Sequence, residues 1–398
     1  MRAPAFLLLP LALWGASLET LKQKAAEHPQ VVAAQQRLER ALAEARLIGR
    51  WENPMVEFEL SDIMLSDPLD RSMAGQMSAV SIAQKIPAWG KLPSQQNRAL
   101  AEAEAVRADT ESIRRDVTRQ ALASAYGLEA ARQEQTILRQ SRELAQELVR
   151  LAGVYQGTAR GDHLTLARAE LFRDGLDLRL HDAQAAIETQ LARLEDLTAL
   201  RPDRVLLTLA PQGALPDTAA LIERLEKNSP QLKAARARAE AGRFGAQAAQ
   251  AAKRPDLTVR LGYANVTESE DYLFVRFEAP LTFLGREGLA HQSARAQFGG
   301  AASAEGALRR ELTGRLQSAH AAATAAADRY ALIEHKLLPQ ARHLYDLAKA
   351  RYESGGSGLD EAYRTLLEIL DLQLRAVKES LMWHENRLMI EALTGEGV

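Results

Sequence analysis

The sequence contains no cysteine, which excludes disulfides, thiolate metal sites and a lipidated N-terminal cysteine together. Aromatic residues are only 5% of its 398 positions, where a globular enzyme of this length would be expected to carry a fuller aromatic core. The formal charge is −2, so nothing marks the chain as a polyanion binder, and nucleic acid is not an expected partner. Beyond the N-terminus no stretch approaches the roughly 20 apolar residues that a membrane-spanning helix requires. Any contact with a membrane must therefore be made by strands. There is no phosphate loop, nucleophile motif or dinucleotide fingerprint. No two of the eight histidines are spaced three or four apart, so no catalytic, cofactor-binding or metal-binding residue is assigned and no cofactor is expected.

What the chain does contain is an internal duplication. Pro29 and Pro54 recur as Pro230 and Pro255, each 201 residues further on. The first proline of each pair follows a short helical stretch and opens the next helix. The second precedes a run of strand-like alternation. Ala, Leu, Glu, Arg and Gln dominate the rest, the composition of long helices and coiled coils. At the N-terminus, Arg2, an apolar run from Ala3 to Trp14 and the small residues Gly15, Ala16 and Ser17 fit a secretory signal peptide. The expected organisation is a signal peptide over 1–16, a first repeat over 17–200, a proline-bearing linker over 201–216 and a second repeat over 217–398.

Within each repeat the period of the apolar residues changes twice. In Val56-Glu57-Phe58-Glu59-Leu60 the apolar side chains share one face and the glutamates the other. A second strand is expected from about Val80 to Ile86, with counterparts at Leu257 to Tyr263 and Tyr272 to Ala279. This alternation places Leu273, Val275 and Phe277 toward lipid and turns Arg276 and Glu278 away. Four such strands cannot close a barrel, and open edges are not tolerated in lipid, so several copies must pool them. From Ser94 to Tyr155 there is no proline, which predicts a helix of roughly 60 residues, on the order of 90 Å long. Ile137, Leu144, Leu148, Leu151 and Tyr155 form a seam on it, and Leu164, Leu171 and Leu178 form another on the returning helix. In the second repeat the outgoing helix runs to Tyr352, and Leu367, Leu370, Leu374, Val377, Leu381 and Leu388 mark the return.

The duplicated halves, the helix-Pro-helix openings, Asn53-Pro54 and Arg254-Pro255, Leu337-Leu338-Pro339-Gln340-Ala341, and Arg351-Tyr352 followed by Gly355, Leu359 and Asp360 resemble the TolC-like outer-membrane efflux proteins. The resemblance covers essentially the whole mature length. It implies a mainly α fold with a small β part, in which long antiparallel coiled-coil helices form an α-barrel. Four strands per chain would join a twelve-stranded outer-membrane β-barrel in a homotrimer. It further implies a passive exit duct in outer-membrane lipid, served by a periplasmic adaptor and an inner-membrane efflux transporter, with no enzyme activity. The segment Gln84-Lys85-Ile86-Pro87-Ala88-Trp89-Gly90-Lys91 looks like the strand-to-helix junction of the heavy-metal efflux subgroup. Gly90 and Gly285 can also be read as plain turn geometry, and a channel for drugs or other organic molecules remains the alternative. A periplasmic coiled-coil scaffold without a pore is the rival from another class, although isolated strand pairs at matching positions disfavour it.

By the same resemblance, the hairpin tips Gly157, Thr158, Arg160 and Gly161, with Gly355, Gly356, Ser357 and Gly358, are where an adaptor would dock. Any two antiparallel helices also need a glycine-rich turn. Asp162 and Asp360 open the returning helices as N-caps or as acidic rings, and Tyr352 is implied to clasp Asp162 in a periplasmic gate. Met55, Met64, Met73 and Met77 gather around the first strand pair, where greasy filler explains them better than soft-metal binding.

Overall fold

The computed structural model describes residues 16–61, 77–156, 163–266, 270–280, 285–354 and 359–395. The expected signal peptide up to Gly15, Met64 and Met73, and both hairpin turns lie outside the described residues. The first half contains β1 (Ala16–Ser17), α1 (Leu18–Ala26), α2 (Pro29–Ile48), β2 (Met55–Ser61), β3 (Met77–Ile86), α3 (Lys91–Gln156) and α4 (His163–Thr198). After β4 (Val205–Leu206) come α5 (Thr218–Asn228), α6 (Pro230–Ala251), β5 (Leu257–Val266), β6 (Tyr272–Glu278), α7 (Arg286–Leu332), α8 (Leu338–Glu353) and α9 (Leu359–Thr394). Two helices, two strands and long helices thus occur in the same order twice.

The prolines act as the physics of helix ends requires. Pro29 and Pro230 are the first residues of α2 and α6, where a missing N–H costs nothing. Pro93 likewise sits in the first turn of α3, so this helix starts at Lys91 rather than Ser94. Pro339 has a different effect. The second outgoing helix was expected to run unbroken to Tyr352, but Ile333–Leu337 adopts π spacing between α7 and α8. The proline ring would strike the carbonyl four residues earlier, and the widened turn removes that clash.

The chain divides into two compact units. One comprises Ala34–Thr110 and Pro230–Arg309 and contains the sheet. Its order is β2-β3-β5-β6, antiparallel throughout. β3 starts at Met77 instead of Val80, because Met77 still finds partners in Ser61 and Val266. The helical part is built from small side chains: Ala99, Ala101, Ala103, Ala105, Ala234, Ala237 and Ala241 are all buried. On α6, a Cβ added at Gly242 would lie 3.1 Å from the Cα of Phe298 on α7, so these backbones approach closely. Thr110 Oγ1 donates to Ala34 O at 3.2 Å, and Arg236 pairs with Glu305 at 3.3 Å.

The other unit joins the described residues up to Ala33 with Glu111–Ser229 and the residues from Arg310 on. One core cluster draws Leu138, Ala145 and Leu148 from α3, Phe172 and Leu176 from α4, Ile333 from the π turn, Leu338 and Tyr345 from α8 and Leu366 and Leu370 from α9. The seam expected on the second return is inside: Leu370 and Leu388 are buried, and Leu367, Leu374, Val377 and Leu381 pack against core clusters. The first-half seam needs correction. On α3 the buried line includes Leu138 and Ala145 beside Leu148, next to the expected Ile137 and Leu144. On α4, Leu171 and Leu178 are 75% and 66% exposed while Phe172 and Leu176 turn inward. A spacing of seven identifies an apolar stripe but not which neighbour it meets, and α4 carries two such stripes.

The segment 201–216 is more than a connection. Val205 and Leu206 pair in parallel with Ala16 and Ser17. The buried Leu209 offers its carbonyl to Ser380 Oγ and, at 2.9 Å, to His384 Nε2 on α9. His384 stacks on Tyr126 with ring centroids 3.9 Å apart and meets Trp383 edge-on at 4.7 Å.

Candidate functional site

The register of the sheet sorts its side chains into two chemically distinct faces. Val56, Ile82, Leu261 and Val275 lie in one cross-strand row, and Phe58, Val80, Tyr263 and Leu273 in the next on the same face. All eight are exposed, with Phe58 at 82%. Phe277 continues this face toward the strand end. The alternation expected of Leu273, Val275 and Phe277 against Arg276 and Glu278 is therefore present in the fold. A contiguous apolar face this wide, left uncovered by the described residues, marks a surface that meets lipid or another protein.

The opposite face is polar. Here Glu57 and Glu59 of β2 share the side of Arg260, Arg276 and Glu278, while β3 contributes the small residues Ala79, Ser81 and Ala83. Because β3 presents only the small Ser81 and Ala83 here, opposite Glu57 and Arg260 respectively, the Arg260 side chain reaches diagonally across β3 to bond Glu57 on β2. Its other nitrogen lies 3.4 Å from Glu278 on β6, so one guanidinium ties three strands together. Phe274, one of two aromatic rings on this face with Tyr272, lies over Gly262: a Cβ there would fall 2.4 Å from the ring. Arg276 stands over the same ring at 5.5 Å.

At the helix-proximal end of the sheet the chain turns from strand to helix through Gly90 and Gly285, with φ of 81° and 80°. Both occupy the left-handed region that glycine tolerates without steric cost. The first junction is fixed by Asp256, just ahead of β5. Its carboxylate accepts Ala88 N–H at 2.9 Å and Lys91 Nζ at 2.7 Å. Burial pushes the Asp256 pKa up, but Lys91 and the Ala88 N–H outweigh it, and the group titrates below the usual carboxylate range.

Of the residues assigned to docking and gating, Gly157, Thr158, Arg160, Gly161, Asp162, Gly355, Gly356, Ser357 and Gly358 lie outside the described residues. Tyr352 is half-buried against the core that joins the hairpins. Asp360 stands in the first turn of α9, one residue inside the helix, since α9 starts at Leu359. Its carboxylate pairs with Arg168 of α4 at 3.2 Å and with Arg364 at 2.8 Å. The Arg168 partnership, between residues 192 positions apart, had no signature in the sequence.

Two grooves among the helices, of about 320 and 350 Å³, have mixed polar and apolar linings, with Arg119, Gln190 and Glu385 in one and Glu334, Arg342 and Gln373 in the other. Among the described residues no group of three or more His, Asp or Glu side chains is placed to hold a metal. Nor is any described helix long and apolar enough to cross a membrane.

A family of channels fits this combination of exposed apolar strands and long helical hairpins. The family model described as outer membrane efflux protein matches residues 20–203 and 221–396. The chain belongs to this family, whose members are outer-membrane channels with a periplasmic helical tunnel, not enzymes. Among solved structures, it is similar to the outer-membrane channel OprN, with TM-score 0.81 and 18% identity over 96% of this chain and 90% of that one. CusC, solved in a study of transmembrane channel formation, gives 0.82 at 14% identity over 100% and 99%. The Campylobacter jejuni outer membrane channel CmeC gives 0.79 at 14% identity over 95% and 85%. No curated protein matches the sequence.

Proposed function

We propose that three copies of this chain pool their strands into one twelve-stranded barrel and form the exit duct of a tripartite efflux pump. The observation that carries this reading is a four-stranded antiparallel sheet with one exposed apolar face and two edge strands, β2 and β6, that lack outer partners among the described residues. Such edges are costly in lipid and become satisfied only when the sheet closes on further strands. The exposed leucines of α4 supply the matching helical surface: Leu171 and Leu178, with Leu344 and Leu347 of α8, are apolar stripes that a neighbouring copy would cover.

The chain is organised as a signal peptide over 1–16, repeats over 17–200 and 217–398, and the packed segment 201–216 between them. The recurrence of the element order supports this division. Ser17 caps α1 by accepting Thr20 N–H at 3.2 Å, so cleavage after Ala16 would leave a helix cap as the first residue. The turns at Gly157 to Gly161 and Gly355 to Gly358 receive the periplasmic adaptor, which couples the duct to an inner-membrane transporter. Beside them, Asp162, Tyr352 and Asp360 form the gate, and the Arg168–Asp360 pair draws the first turn of α9 to α4. Heavy-metal cations are the proposed substrates, supported by the resemblance of the Gln84–Lys91 junction to that subgroup.

Because the sequence has no cysteine, single-cysteine variants report cleanly on orientation. Val275→Cys and Phe277→Cys are expected to react with a lipid-soluble maleimide, and Arg276→Cys with a water-soluble one. Labelling of position 276 rather than 275 from the lipid would overturn the assignment of the faces. For the substrate, cells carrying the chain with its pump are expected to gain resistance to divalent or soft metal ions. Resistance to organic compounds alone would replace the metal reading with that of a drug channel.

A further inference from the structure

The helix-proximal rim of the sheet carries a cluster of side chains that the duct function leaves unused. Antiparallel pairing brings the start of β2, the end of β3, the start of β5 and the end of β6 to the same end. Trp51 lies four residues before β2 and Trp89 three after β3, and both are exposed, Trp89 at 89%. Leu47 and Ile48 on α2 and Leu289 on α7 are exposed in the adjoining helical turns. A tryptophan this open is uncommon on a water-facing surface, but it suits the boundary between lipid and water, where the ring meets acyl chains and the indole N–H a polar group.

Charge at this rim has a basic excess, although Glu278 at the end of β6 pairs with Arg260 at 3.4 Å and Glu287 stands in the first turn of α7. The acids Glu52 and Asp256 are already occupied, by Lys85 at 2.8 Å and Lys91 at 2.7 Å respectively. Arg50, Arg254 and Arg286 are exposed around them. At the opposite end of the sheet, Glu270 and Asp271 precede β6, and among the described residues flanking the strands there no lysine or arginine occurs. Among the described residues the sheet is thus basic where it meets the helices and acidic at its far end.

We infer that this rim is a binding site for anionic phospholipid headgroups of the leaflet nearest the helical part. Trp51 and Trp89 would sit at the glycerol level, and Arg50, Arg254 and Arg286 would contact phosphate. Guanidinium suits this ligand, since its planar donors match phosphate oxygens in pairs. The inference rests on the reading that the apolar face of the sheet meets lipid, and it adds a preference among lipids that barrel formation alone does not require.

The test uses the purified full chain in nanodiscs of phosphatidylcholine, with phosphatidylglycerol added in steps. Phosphatidylglycerol brominated near the head of its acyl chain should quench Trp89 emission, while Trp383, which is buried, serves as an unquenched reference. Trp89→Phe should remove part of the quenchable signal, and Trp51→Phe with Trp89→Phe should abolish it. Half-quenching should need several-fold less phosphatidylglycerol than brominated phosphatidylcholine, and Arg50→Gln with Arg254→Gln should together remove most of that preference. Equal quenching by both lipids would overturn the headgroup preference. Absence of quenching in discs of a preparation that conducts ions in a planar bilayer would show the rim covered by a neighbouring copy and also overturn it, while leaving the channel intact. A chain that neither conducts nor is quenched would instead remove the lipid-facing sheet on which the inference depends.

Discussion

The carboxylate of Asp256 holds the ammonium of Lys91 at 2.7 Å across 165 residues of sequence, and so joins the strand opening of the second repeat to the strand-to-helix junction of the first. It also takes the Ala88 N–H, leaving neither oxygen idle. Replacing Asp256 by Asn removes the counter-charge of a part-buried lysine, and the expected cost is roughly 1–3 kcal/mol. The folded-state pKa of Asp256 is lowered, so its contribution is present above about pH 4 and is lost as pH falls through that lowered value. Thermal unfolding in detergent should show this acid-side loss in the parent protein, and it should be smaller in Asp256→Asn.

Gly90 and Gly285 both carry positive φ with no atom near the position of a Cβ. The penalty for a side chain is then purely conformational. Gly90→Ala and Gly285→Ala should each destabilise by about 1–2 kcal/mol, while Gly288→Ala, in open space within α7, should be neutral or stabilising. A denaturant series on the three variants separates these outcomes.

His384 is enclosed by Tyr126 and Trp383, and burial drives its pKa down from 6.5 to about 4, against the opposing bond to the Leu209 carbonyl. An unfolded chain therefore binds a proton that the folded chain refuses. Stability from this residue is complete above about pH 6.5 and declines as pH falls toward 4. His384→Gln, which keeps a donor for Leu209, should flatten the melting temperature across that window. An unchanged slope would place the titrating group elsewhere.

The Arg168–Asp360 pair is exposed, so one copy is worth only about 0.5 kcal/mol. Three copies acting on one proposed gate would sum to about 1.5 kcal/mol, or roughly tenfold in open probability. Arg168→Ala should raise the open probability of single channels by that order at low salt, and the difference should shrink at 1 M salt as screening removes the pair from the parent protein as well.

Much of this architecture was legible from spacing. The prolines at 29, 54, 230 and 255 marked where helices open and strands begin, because the lost N–H and fixed φ act locally. The two faces of β2 and β6 followed from alternation alone. What escaped was set by contacts distant in sequence. Leu171 and Leu178 kept perfect heptad spacing yet face outward, since the core chose Phe172 and Leu176 one stripe over. The π turn at Ile333–Leu337 needed Pro339 to be read as a steric demand on the preceding turn rather than as a tolerated helix residue. Segment 201–216, read as a linker from its prolines, is held by Ser380 and His384, which no local pattern announces.

The central claim is a pore made by pooled strands, and the most direct measurement is the oligomeric mass of the detergent-extracted protein together with its single-channel conductance in a planar bilayer. A trimer that opens discrete, uniform conductance steps is the predicted result. A water-soluble monomer without conductance would contradict it, and would leave the exposed face of β2, β3, β5 and β6 to be covered by some other protein.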